Sequence, residues 1–141
     1  MPADEVATLK MAELQRRLDR IRAGIRTDAA AFPSEESRME NIAFNVLLAV
    51  QTAVDLGAHL IAREGWEPPD TLSATFTILE AHAVLGGATA EAMRSGTRLR
   101  NLIAHGYARV DPVKLVASAQ AGLDEFARFL AEVAAWEQER P

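Results

Sequence analysis

The chain has 141 residues, enough for one hydrophobic core and too few for two, and 49% of them are hydrophobic. Its net charge of −5 argues against nonspecific DNA binding through bulk charge, and the absence of cysteine removes disulfides, thiolate metal sites and cysteine nucleophiles together. The start, Met1-Pro2-Ala3-Asp4-Glu5-Val6, has no basic segment followed by an apolar core, which predicts no signal peptide and a cytoplasmic location.

Ala, Leu, Glu and Arg dominate, and no stretch alternates with period two, so the expected class is all-α. A first helix is predicted from about Asp4 to Ile25, with Leu9, Leu14, Leu18, Ile21 and Ile25 at helical spacing. Phe32-Pro33-Ser34 breaks it. Ser34 followed by Glu35 and Glu36 is a helix start, with acid facing the dipole. The second helix is predicted to run to about Arg63. Its uncharged run, Asn41 to Val54, is 14 residues long and includes Asn41, Asn45, Gln51 and Thr52, which fits a buried helix and not a membrane span.

Gly65 to Pro69 reads as a loop, and Asp70 as the cap of a third helix ending at Gly86-Gly87. A fourth helix is predicted from about Thr89 to Gly106. Asp111-Pro112 then restarts the chain with a capping acid and a proline at the first helical position. The last helix carries Val116, Leu123, Phe126, Leu130 and Val133 down one face. No repeat or linker interrupts the pattern, so residues 1–141 are expected to form a single antiparallel bundle of about five helices.

Chemistry concentrates in residues 100–107, Arg-Asn-Leu-Ile-Ala-His-Gly-Tyr. From Ala92 to Val110 there is no Asp or Glu, but there are Arg94, Arg98, Arg100 and Arg109. An acidic protein that clears negative charge from around one histidine points to a polyanion, with RNA the first candidate. A histidine can accept a proton from a ribose 2′-hydroxyl, and a guanidinium can grip the adjacent phosphate and oppose its growing charge. The plain alternative is a surface Arg100 and a His105 that ends a helix, where a cation suits the dipole. At about 100° per residue the two side chains project about 140° apart. Both reach one small site only if the helix ends, if the long arginine wraps round, or if two copies line one cleft. Asn101 sits one turn before His105 and is placed to orient it or a phosphate oxygen.

The octad, followed by Arg109-Val110-Asp111-Pro112, resembles the Arg-x4–6-His motif of the HEPN superfamily, and most closely the Arg-x4-His-x-Tyr variant of the HepT-like toxins. The likeness extends through Gln51 to Leu56 and His59 to Gly65, and covers about residues 38 to 130. It implies a small all-α homodimer that cleaves RNA without a metal or other cofactor, as the toxin of a toxin–antitoxin pair. It assigns catalysis to Arg100 and His105 at the dimer cleft. It also implies an MntA-like nucleotidyltransferase antitoxin that transfers AMP to Tyr107, placing a phosphodiester among Arg94, Arg98, Arg100 and Arg109. The alternative within the resemblance is a catalytically silent subunit that binds nucleotides or the nucleotidyltransferase.

Asp55 and His59 lie four apart on one helix face, a spacing that suits either a metal or a plain hydrogen-bonded pair. No third ligand is evident, so no metal is expected; the family likeness leaves Asp55 as a supporting residue at the cleft. His82, Trp66 and Trp136 read as packing residues, and Gly86-Gly87 lacks the Lys and Ser or Thr of a phosphate loop.

Overall fold

The structure, a computed structural model, describes residues 4–26 and 31–141. It contains five α-helices, α1 (Glu5–Arg26), α2 (Glu35–Glu64), α3 (Leu72–Ala81), α4 (Gly87–Gly106) and α5 (Pro112–Glu139), with a 3-10 turn over Tyr107–Arg109 between the last two. No strand occurs among the described residues. The expected all-α bundle is what forms.

α2 packs against each of the other four helices, which explains its apolar middle. Ile42, Ala49, Val50, Ala53, Leu56, Leu60 and Ile61 are all essentially inaccessible. It is the one described helix long and apolar enough to cross a membrane, yet 61% of its most apolar window is buried inside the bundle. α1 runs antiparallel to it: Gly24 lies against Ile42 at one end, and Asp4 meets His59 and Arg63 at the other. Leu14, Leu18 and Ile21 are buried as expected, but Leu9 is 69% exposed. Ala7 fills the inward position instead, because two residues along a helix turn a side chain about 200° away.

Ser34 caps α2 as expected, accepting the Ser37 N–H at 3.0 Å. Its C-terminus closes on Gly65, whose φ of 73° is the left-handed conformation that glycine adopts without a side-chain clash. The third helix departs from the expectation at both ends. Thr71, not Asp70, accepts the Ala74 N–H, and the helix stops at Ala81, five residues before Gly86. There Ala83 takes the left-handed position (φ 60°), donating to the Glu80 carbonyl while Val84 donates to Leu79. This is the Schellman closure without its usual glycine, and it turns Val84 and Leu85 into the core. The gain is that burial; the missing glycine is why the stop is invisible in the sequence.

α4 starts at Gly87, two residues before the expected Thr89. Its first turn is capped from another helix: the Glu132 carboxylate on α5 accepts the Gly86 N–H at 2.6 Å and the Thr89 hydroxyl. Asp111 caps α5 as expected, accepting the Val113 N–H at 2.9 Å ahead of Pro112. α4 and α5 therefore run antiparallel and bring residues 98–109 beside 111–118.

Candidate active site

Side chains three, four and seven apart share one side of a helix. Arg98, Asn101, Leu102 and His105 form such a stripe on α4, and Asp111, Lys114, Leu115 and Ser118 form the facing one on α5. Between them lies a groove of about 880 Å³, which Arg109 and Val110 also line. Leu99, Leu102 and Val110 give it an apolar floor, behind which Leu115 is buried in the core. Three cations (Arg98, Arg109 and Lys114) and His105 meet a single carboxylate, Asp111, which is occupied in capping α5.

Arg100 stands off this groove. α4 stays helical from Arg100 through His105, so the expected angular separation holds and one copy does not aim both side chains at one point. The Arg100 Nη1 donates to Asn101 Oδ1 at 3.2 Å, and its Nε is buried without a partner. Asn101 thus touches Arg100 while lining the groove that holds His105.

Two of the expected RNA-binding cations are altered by their neighbours. Arg94 is ion-paired to Glu80 of α3 at 3.0 Å and to Glu91 at 3.1 Å, and it does not line the groove. The acid-free window in sequence ends one turn before it, and α3 supplies the second carboxylate from alongside. Hydrogen bonds from Arg94 hold the Glu91 carboxyl below its usual range. Arg98 also reaches Glu91, at 3.4 Å, and Ser95, at 2.8 Å, but keeps most of its side chain in solvent at the groove.

Tyr107 lies outside the groove as well. Gly106 swings the backbone out of the helical register (φ −172°, ψ 51°), and the half-buried phenol packs against the core. Burial, and then the carboxylates of Glu40 and Glu36 on α2, push its pKa up. Its acidic neighbours contrast with the arginine surroundings expected from the sequence.

A match to the family model of HepT-like ribonucleases spans residues 12–133. The chain belongs to the HepT-like ribonuclease family. No curated protein matches it in sequence. Among solved structures it is similar to the tri-AMPylated Shewanella oneidensis HEPN toxin in complex with MNT antitoxin, at 19% identity and a TM-score of 0.84, covering 94% of this chain and 99% of that one. A toxin–antitoxin structure with AMP-PNP gives 18% identity and a TM-score of 0.82, over 93% of this chain and 99% of that one. YutE of Bacillus subtilis, described as a cytosolic protein of unknown function, gives 15% and 0.71, over 89% and 88%. At these identities the likeness is one of fold.

In this HepT-like chain the Asp55–His59 spacing does not make a site. Asp55 is exposed, takes a hydrogen bond from Gln51 at 3.1 Å and does not line the groove. His59 Nε2 lies 2.7 Å from Asp4 Oδ2, a residue 55 positions away. Arg63 ties the same Asp4, at 2.6 Å, to Glu137 of α5, also at 2.6 Å. Partial burial opposes ionisation of Asp4, but the Ala7 N–H, His59 and Arg63 outweigh it and hold the carboxyl well below the usual carboxylate range. His82 is exposed, and packs by stacking on Trp66 at 3.8 Å. Trp66 in turn meets Trp136 edge-on at 5.8 Å, so the two tryptophans do pack. Among the described residues no three His, Asp or Glu gather as a metal site.

Sequence reading missed Lys114. The available signal was Asp111-Pro112, which starts α5 only six residues after His105 and so returns the first turn of α5 to the same end of α4.

Proposed function

We propose that this HepT-like ribonuclease is the toxin of a toxin–antitoxin pair, a single domain over residues 1–141 that cleaves RNA as a homodimer without a metal. The observation that carries this reading is His105 in a cation-walled groove with Arg100 turned away on the same helix. A second copy supplies the missing guanidinium, so that each cleft joins His105 of one protomer to Arg100 of the other. His105 takes the proton of a ribose 2′-hydroxyl, whose oxygen attacks the adjacent phosphorus. Arg100 opposes the charge that builds on the phosphoryl oxygens, and the bond to the 5′-oxygen breaks as that oxygen takes up a proton from water. The products are a 2′,3′-cyclic phosphate and a 5′-hydroxyl. Asn101 bridges the two roles by touching Arg100 and lining the His105 groove; Asp55, outside the groove, takes no part within one copy.

The fold shared with a HEPN toxin solved in complex with MNT antitoxin supports a nucleotidyltransferase partner of that kind. Its target here is Tyr107, the one tyrosine of the chain. Transfer of AMP draws the phenol away from Glu36 and Glu40, and adds an anion at the chain segment that joins His105 to Arg109.

Incubation of the purified protein with RNA in the presence of EDTA tests the chemistry. Cleavage is expected to persist, and His105→Ala and Arg100→Ala each to reduce it by roughly 10²–10⁴. A His105→Ala variant that stays fully active, or fully toxic at equal expression, overturns the ribonuclease site. On coexpression with the partner, intact mass is expected to rise by one or more AMP units. Tyr107→Phe is expected to remove the gain.

A further inference from the structure

Around His105 the cations come from three different pieces of chain: Arg98 from α4, Arg109 from the 3-10 turn and Lys114 from the first turn of α5. The side chains of Arg109 and Lys114 have no hydrogen-bond or ion-pair partner among the described residues. The stem of Arg109 lies along Gly106, with its Cδ 3.6 Å from where a Cβ would stand, and the residue lines the groove. Below these cations the floor is aliphatic. About 880 Å³ lies within the range of small-ligand pockets, and a nucleotide fits it. Two unpaired cations over an apolar floor match a phosphodiester joined to a base. A protein segment seated there would bury both charges and would need carboxylates to meet them.

We propose that this groove is a track for single-stranded RNA, in which Lys114 and Arg109 hold the phosphate next to the scissile one while a base lies on Leu99 and Leu102. The assignment rests on the ribonuclease reading above and extends it from the reacting phosphate to its neighbour. Lys114 is a binding residue here and touches no reacting atom. The aliphatic floor offers contact to any base and no edge to read, so the track binds without strong base preference.

A 2′-O-methyl oligoribonucleotide is the probe, since it lacks the attacking hydroxyl and stays intact. Lys10 and Lys114 are the two lysines of the chain, and Lys10 lies on α1 beside Glu13, so acetylation read by mass spectrometry carries its own control. The oligonucleotide is expected to protect Lys114 and leave Lys10 reactive. Lys114→Gln is expected to weaken binding severalfold and to lower the salt dependence by about 0.7 in log–log slope, the loss of one single-strand phosphate contact. Lys114→Arg is expected to restore both. With cleavable RNA the effect is expected in KM ahead of kcat. Absence of oligonucleotide binding, unchanged Lys114 reactivity, or an unchanged salt slope in Lys114→Gln overturns the track. So does a Lys114 already shielded in the protein alone, which would mean that a second copy fills the groove. Binding and protection without any cleavage of natural RNA would leave the track standing and sink the ribonuclease reading. Cleavage with Lys114 unprotected would do the reverse.

Discussion

Arg100 and His105 occupy one unbroken helix, yet only His105 faces the groove between α4 and α5. If each working cleft joins Arg100 of one protomer to His105 of its partner, two dead variants can repair each other. A mixture of Arg100→Ala and His105→Ala protein, exchanged to equilibrium, is expected to regain about a quarter of wild-type cleavage, because half the dimers are mixed and each mixed dimer has one intact cleft of two. Recovery no greater than the sum of the separate variants would place Arg100 and His105 of the same protomer in each cleft.

Glu132 does for α4 what a side chain at the helix start usually does. Its carboxylate accepts both the Gly86 N–H and the Thr89 hydroxyl, although it lies 43 residues further on than Thr89. Glu132→Ala is expected to cost about 1–2 kcal/mol, the worth of a lost cap with a charged acceptor. Thermal unfolding reads the loss as a Tm lowered by several degrees. A Tm equal to wild type would show that solvent satisfies this helix start equally well.

Two helical glycines have opposite environments. A Cβ at Gly57 would stand 2.6 Å from Thr75 Cγ2 and 3.1 Å from Leu79 Cδ1, where α3 crosses α2. At Gly96 the nearest atom, Val50 Cγ2, is 3.6 Å away, an ordinary contact. Gly96→Ala is expected to stabilise by about 0.5–1 kcal/mol through helix propensity. Gly57→Ala gains the same propensity, but the overpacking costs about 1–3 kcal/mol and is expected to exceed it. Paired urea titrations decide the matter, and two variants shifted in the same direction would contradict the close α2–α3 crossing.

Asp4 is ionised more readily in the folded chain than in the unfolded one, so the unfolded chain binds more protons on acidification. Its contribution is therefore fully present above the ordinary aspartate pKa of about 4, and fades as pH falls below that toward the lower folded value. Asp4→Asn is expected to be less stable than wild type near neutral pH, with the gap narrowing in acid. Denaturant unfolding at several pH values measures the gap, and one that widens in acid would reverse the assignment. Arg63 stays charged throughout, held protonated chiefly by Glu137, so that partner does not switch across this range.

Local signals determined much of this protein from sequence alone. Ser34 and Asp111-Pro112 mark helix starts because a capping side chain bonds to its own neighbours, and Gly65 marks a stop because left-handed backbone favours glycine. The concentration of chemistry in residues 100–107, and the resemblance carried there, were legible for the same reason: a motif is a local pattern. Distant partners were not. That Arg94 is neutralised by Glu80, that Glu132 caps α4, that His59 meets Asp4 and not Asp55, and that Tyr107 faces Glu36 and Glu40 all depend on which helices lie side by side. The α3 stop at Ala83 was hidden because buried Val84 and Leu85 favour a turn that the local residue does not announce. Helical periodicity shows which face turns inward, whereas the charge that a side chain meets on arrival is set by chain remote in sequence. Lys114 joined the site only when α5 folded back along α4.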